Sequence, residues 1–252
     1  MPRLFLLIGV LLVCSSLAAQ AQTGMNLAWN NCITQSDAAA DKAYACDGSG
    51  NGTPFKIVFS FFTPVAMTQF VGIDATFDVI TAESSLPDWW RLGVGECRDG
   101  DLGYPGSLSG IGTGTTGACR NPWIGGNTGG GFKWITGSDS GDVAPSRARV
   151  TIAFARDNEG SLNLNQQYVG GVLALDTYGD SGDDACAGCA VPICIVLNQV
   201  QLYQTIGASG GDVQTITETE TRSMIKWQGG NSCPSGQQPG QPSWGSIRAL
   251  YR

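Results

Sequence analysis

Histidine is absent from all 252 residues. Its absence removes Ser-His-Asp and Cys-His catalysis, and also c-type haem attachment, which needs a histidine directly after C-x-x-C. Glutamate is scarce: Glu83, Glu96, Glu159, Glu218 and Glu220 are the whole set. Glycoside hydrolysis needs only two carboxylates, but no two of these stand out as acid and nucleophile. Lysine is limited to Lys42, Lys56, Lys133 and Lys226, and the net charge is −7. With no basic patch, nucleic acid is not an expected partner. Beyond the N-terminus no apolar run is long enough for a membrane span. Long helical patterns are also missing.

What is present begins with an export signal. Arg3 precedes the apolar run "LFLLIGVLLVCSSLA", and Ala19-Gln20-Ala21 forms an A-x-A cleavage site. Residues 1–21 read as a secretory signal peptide, so the mature chain starts at Gln22. A lipid anchor on Cys14 fits poorly, because Val13 stands where a lipobox wants a small residue. The expected location is secreted or cell-surface, with the periplasm as a variant. Residues 22–252 read as one domain.

Once Cys14 leaves with the signal, eight cysteines remain: Cys32, Cys46, Cys97, Cys119, Cys186, Cys189, Cys194 and Cys233. An even count in an exported chain implies disulfides. The dense stretch "DDACAGCAVPIC" raises two alternatives. A redox C-x-x-C sits at a helix N-terminus, whereas Cys189 runs into "AVPICIVL" and hence into a strand. A four-thiolate zinc site from Cys186, Cys189, Cys194 and Cys233 has unusual spacing, and export favours oxidation. Nearest-neighbour pairing predicts Cys32–Cys46 and Cys97–Cys119. The last four cysteines stay open among three pairings.

Period-two patterns dominate the rest. "VGIDATFDVIT" sets Val71, Ile73, Ala75, Phe77 and Val79 on one face and Asp74, Thr76 and Asp78 on the other. "FKIVFSFF" sets Phe55, Ile57, Phe59 and Phe61 together. "RARVTIAFAR" turns Val150, Ile152 and Phe154 inward. "QYVGGVLALDT" and "PICIVLNQVQLYQ" are apolar on both faces and read as central strands. Glycine, 36 residues, is about twice as frequent as usual and clusters between these runs. The expected fold is an all-β antiparallel sandwich, jelly-roll or Ig-like, with long Gly-rich loops. A short helix is expected in 36–46, capped by Ser36. The C-terminal "PSWGSIRALYR" reads as a helix or a closing edge strand.

Two features suggest binding. In "LPDWWRLG", adjacent residues of a strand face opposite ways, so either Trp89 or Trp90 would point outward. Trp123 lies in the Gly-rich stretch 96–131, and Trp134 follows it. Exposed indoles are platforms for sugar rings or protein partners, so Trp89, Trp90, Trp123 and Trp134 are the candidate ligand residues. Separately, Asp176, Asp180, Asp183 and Asp184 crowd one loop and offer oxygen ligands to calcium. The EF-hand spacing is missing and no glutamate closes the loop, so a solvated acidic turn between two strands is the first reading and calcium the second. No other cofactor is implied.

Several stretches taken together ("LAWNNC", "FVGIDATFDV", "LPDWWRLG", "WQGGNSCP" and the closing "WGSIRALYR") resemble a group of uncharacterised secreted proteins of environmental bacteria. Those proteins carry a signal peptide, tryptophan-bearing strands and a W-G-x-[IV]-[KR]-x-L-Y-R terminus. The resemblance implies export, a bacterial source and one shared architecture over nearly the whole mature chain. It implies no activity, ligand or catalytic residue.

The leading expectation is therefore a non-catalytic extracellular or cell-surface protein that binds a glycan or another surface protein. A self-associating subunit of a surface layer or filament is the first alternative. A secreted polysaccharide hydrolase is the second.

Overall fold

Alternating apolar and polar residues form strands when one face can be buried against a second sheet. The computed structural model describes residues 23–48, 53–104, 108, 111, 119–177, 185–229 and 233. Among them run β1 (Gly24–Trp29), β2 (Asp41–Lys42), β3 (Phe55–Phe62), β4 (Met67–Thr81), β5 (Leu102–Gly103) and β6 (Thr128–Ile135). They are followed by β7 (Arg147–Leu162), β8 (Gln167–Leu175), β9 (Ile193–Gln204), β10 (Val213–Ile216) and β11 (Met224–Trp227). One sheet has the order β1-β3-β8-β5. The other has the order β2-β11-β9-β4-β7-β6, with β10 also on β9. The strand pairs are antiparallel except β2 with β11.

The chain is thus an all-β sandwich. It crosses between sheets from β3 to β4 and again from β8 to β9, so β3 lies beside β8 and β4 beside β9. Such a frame supports many unrelated activities and assigns none.

The core follows the periodicity. Ile57, Phe59 and Phe61 of β3 meet Ile73, Ala75, Phe77 and Val79 of β4 and Val150, Ile152 and Phe154 of β7. Val71 departs from its expected face and is only half-buried, because the register shifts between Phe70 and Gly72. The outward Asp78 is 1 % exposed and holds Arg149 at 3.0 Å and Arg147 at 3.4 Å. That ion pairing explains a carboxylate buried on the strand's polar face.

Strand β8 is apolar on both faces because each face is covered. Tyr168, Leu173 and Leu175 enter the main core, while Val169 and Val172 join Val58, Ile111, Cys32 and Cys119 in a second, smaller one. Gly170 and Gly171 lie under the Phe59 ring. A Cβ at either would meet it at 2.1 or 2.7 Å, so no larger residue fits without moving that ring.

Two local expectations are corrected. Residues 36–46 form turns and β2 rather than a helix. Trp29 and Ala39 exchange backbone hydrogen bonds of 2.9 and 3.2 Å, and Lys226 N donates to Ala40 O at 2.8 Å. Pairing with two strands outweighs the helix propensity of the alanines. "LPDWWRLG" holds no strand either: Asp88–Trp90 is one turn of 3-10 helix, η1. Residues 1–21, read as a signal peptide, and the C-terminal stretch read as a helix or edge strand lie outside the described residues. Among the described residues no helix is long and apolar enough to cross a membrane.

Candidate functional site

The four tryptophans expected to face a ligand are core residues. Trp89 and Trp90 are 0 % and 1 % exposed, and Trp123 and Trp134 are each 8 % exposed. The 3-10 turn removes the alternation that would have sent one indole outward. Trp89 stacks on Trp227 at 4.8 Å, and Trp90 meets Trp89 edge-on at 5.2 Å. Over the Trp89 ring lies Arg98, its Cζ 3.8 Å from the ring centre. Arg98 is itself buried, donating to Asp101 at 2.8 Å and to the carbonyls of Trp89 and Asp176. This end of the sandwich is filled: the Arg98 donors are spent, and the indole N–H groups of Trp89 and Trp90 are buried away from any ligand. The exposed-platform expectation is therefore corrected for all four residues.

The cysteines are corrected in part. Neither Cys32–Cys46 nor Cys97–Cys119 forms. The pairs are Cys32–Cys119, Cys46–Cys189, Cys97–Cys186 and Cys194–Cys233. Tertiary neighbours decide them. Parallel pairing of β2 with β11 carries Cys46 to Cys189, and the Gln228 amide donates to Tyr44 O at 2.7 Å beside it. The Arg98–Asp101 turn, docked on Asp176, carries Cys97 to Cys186. The long stretch 96–131 is thus tied at two points to two different partners. Of the three partners left open for Cys233, it takes Cys194. With all eight cysteines paired, neither a zinc tetrathiolate nor a redox dithiol remains. Four disulfides fit an oxidising, extracellular setting.

Of the acidic loop, Asp180, Asp183 and Asp184 lie outside the described residues. Asp176 is described, and its carboxylate accepts from Thr177 N at 2.7 Å. Among the described residues no group of three His, Cys, Asp or Glu side chains could hold a metal ion.

A different site emerges at the opposite ends of the strands, where β7 finishes and β8 begins. An open cleft of about 590 Å³ is lined by Arg120, Asn121, Pro122, Ile124, Arg156, Glu159, Gly160, Ser161, Asn163 and Tyr168. Its volume lies within the range of small-ligand sites. One wall is the segment just after Cys119. Arg120 N donates to Gln167 O at 2.8 Å, and Val169 N donates to Arg120 O at 2.9 Å, so the segment docks beside β8 like a short strand. Trp123 anchors it by burying its ring against Phe70 at 5.3 Å and donating from Nε1 to Gly170 O at 3.3 Å. Ile124, next in the chain, is then left 72 % exposed.

The other wall is the extension of β7 past Phe154. Arg156 donates to Pro122 O at 2.6 Å, to Ile124 O at 3.3 Å and to Asn158 Oδ1 at 2.8 Å. Asn158 Nδ2 reaches Gly125 O at 2.5 Å, and Asp157 accepts from Asn127 N and Nδ2 at 2.9 and 2.7 Å. The two walls are therefore cross-linked before any ligand arrives. Among the described residues Glu159 is the cleft's one carboxylate, and it accepts from Thr205 Oγ1 at 2.6 Å and Gln69 Nε2 at 3.1 Å.

Against these engaged groups stand four that are not. Arg120 is exposed and its guanidinium has no partner among the described residues. Asn121 uses only its Oδ1, for Trp123 N, and its amide donor is unspent. The side chains of Ser161 and Asn163 also have no partner among the described residues. Sequence reasoning missed all four. The available signal was the turn-forming "CRNPW" and the polar continuation "RDNEGS" of a strand that seemed to end at Arg156.

The chain matches no family model, no curated protein and no solved structure.

Proposed function

We propose that the protein is a secreted, non-catalytic binding protein of the extracellular space or cell surface, and that its ligand site is the cleft between residues 120–124 and the end of β7. The observation that carries this reading is the set of unspent hydrogen-bonding groups on Arg120, Asn121, Ser161 and Asn163, held on two mutually cross-linked walls. Walls fixed in advance lower the ordering cost of binding, which then falls on these side chains alone. Among the described residues the cleft offers one carboxylate, already hydrogen-bonded, and polysaccharide hydrolysis calls for an acid and nucleophile pair. The disulfides and the secretory signal read from residues 1–21 support the location. A glycan array, followed by calorimetry with the best saccharide, tests the site. The paired substitution Asn121→Ala and Asn163→Ala should abolish binding. Val94→Ala, at a residue 95 % exposed at the other end, should leave it intact. An array without a bound saccharide, or binding insensitive to the cleft variant, overturns the site.

Assembly into a surface layer is the second reading. β6 pairs with β7 along one edge, and Thr128–Gly131 are exposed, which is an edge suited to another strand. Light scattering across a concentration series tests it, and a monomer throughout rejects it.

A further inference from the structure

Resting on the cleft as a ligand site, we infer that its ligand is an anionic saccharide, a sugar bearing a carboxylate or a sulfate, and that Arg120 is the residue that holds the anionic group. The chain as a whole carries −7, yet among the described residues two guanidiniums and one carboxylate line this cleft. The two arginines do different work. Arg156 spends its donors on the Pro122 and Ile124 carbonyls and on Asn158, so it builds the wall. Arg120 is fixed only through its backbone, and its planar fork of donors is left for a ligand. That fork matches carboxylate and sulfate oxygens in a way an ammonium does not. Glu159 accepts only from the neutral Thr205 and Gln69, and it is the second guanidinium, Arg156, that offsets its charge, which leaves that of Arg120 in surplus.

The neutral groups narrow the class further. Asn121, Ser161 and Asn163 offer amide and hydroxyl donors and acceptors, which suit sugar hydroxyls. A small anion would not need their neutral acceptors, and a neutral sugar would leave the Arg120 charge without a counter-charge. An acidic sugar uses both.

The test is calorimetry of the full mature chain with matched oligosaccharides of one backbone: neutral, uronic-acid and sulfated. Inorganic sulfate and an oligoglutamate peptide serve as controls. The acidic forms should bind at least about tenfold more tightly than the neutral one, the usual weight of one charged hydrogen bond. Added salt should narrow the gap, since Arg120 is exposed. Arg120→Gln should erase the preference at an unchanged melting temperature, and Arg120→Lys should restore part of it. The uronic-acid and sulfated arms separate the two anions. Equal binding of neutral and acidic forms overturns the inference and leaves the binding site standing. Oligoglutamate binding as tightly as the acidic sugars overturns the saccharide class. Failure of every oligosaccharide overturns both the inference and the cleft as a glycan site.

Discussion

The two ends of this sandwich use the same residue types in opposite ways. At one end Arg98 is buried over Trp89 and its donors go to Asp101 and two carbonyls. At the other, Arg120 stands exposed with its donors unspent. Trp89, Trp90 and Trp227 fill the first end. Trp123 at the second end pins one segment and leaves a cleft in front of it. A residue's chemistry is available to a ligand only where the fold has not already used it. The end richest in tryptophan and disulfide is therefore the structural one, and the polar end is where recognition is proposed.

The largest expected effect comes from the closed end. Cys46–Cys189 spans 143 residues, and closing a loop of that length removes about 5 kcal/mol of denatured-state entropy. The pair Cys46→Ser and Cys189→Ser should lower unfolding stability by most of that amount in a urea titration. Peptide mapping without reduction checks the linkage, and recovery of a Cys32–Cys46 or Cys97–Cys119 peptide would sink the assigned pairs.

Next comes the tryptophan cluster. Trp89→Ala should cost about 4 kcal/mol, the usual range for a large buried aromatic. Ile124→Ala at the cleft rim should change stability by less than about 0.5 kcal/mol. Equal losses would erase the distinction between the ends.

The arginines give the third contrast. Arg98→Met should cost about 3 kcal/mol, since it strands Asp101 and two carbonyls, one of them buried. Arg120→Met should leave the thermal melt in place. Chemical denaturation of both variants side by side reads the difference.

The smallest effect belongs to neither end. Asp74 sits mid-strand on the outer face of β4, and burial holds its carboxyl above the ordinary range, against a hydrogen bond from Tyr203 at 2.7 Å. A folded pKa above the unfolded one means that the ionised side chain costs stability. That cost is absent in acid below the unfolded value. It sets in as pH rises towards the folded value and is complete above it. Asp74→Asn should therefore melt slightly higher than the parent at neutral pH and level with it in acid. A melt difference of the same size at both pH values would refute this account.

Much of the frame was legible in the chain. The faces of "FKIVFSFF" and "RARVTIAFAR" were read correctly, as were the two central strands, because strand burial depends on a period of two that any sequence displays. The site was not legible. "LPDWWRLG" was misread because a single 3-10 turn cancels alternation, and nothing local announces that turn. Arg120 and Asn163 are distant in sequence and line one cleft because the 120 segment docks beside Tyr168.

By itself, then, the sequence determined the strand periodicity, the even set of cysteines and the lack of histidine chemistry. These are properties of composition and of neighbours along the chain. Only the tertiary structure decided which cysteines join, which tryptophans are buried and where hydrogen-bonding groups remain unspent. Each of those depends on which strands lie side by side across a sandwich whose partners come from far apart in the chain.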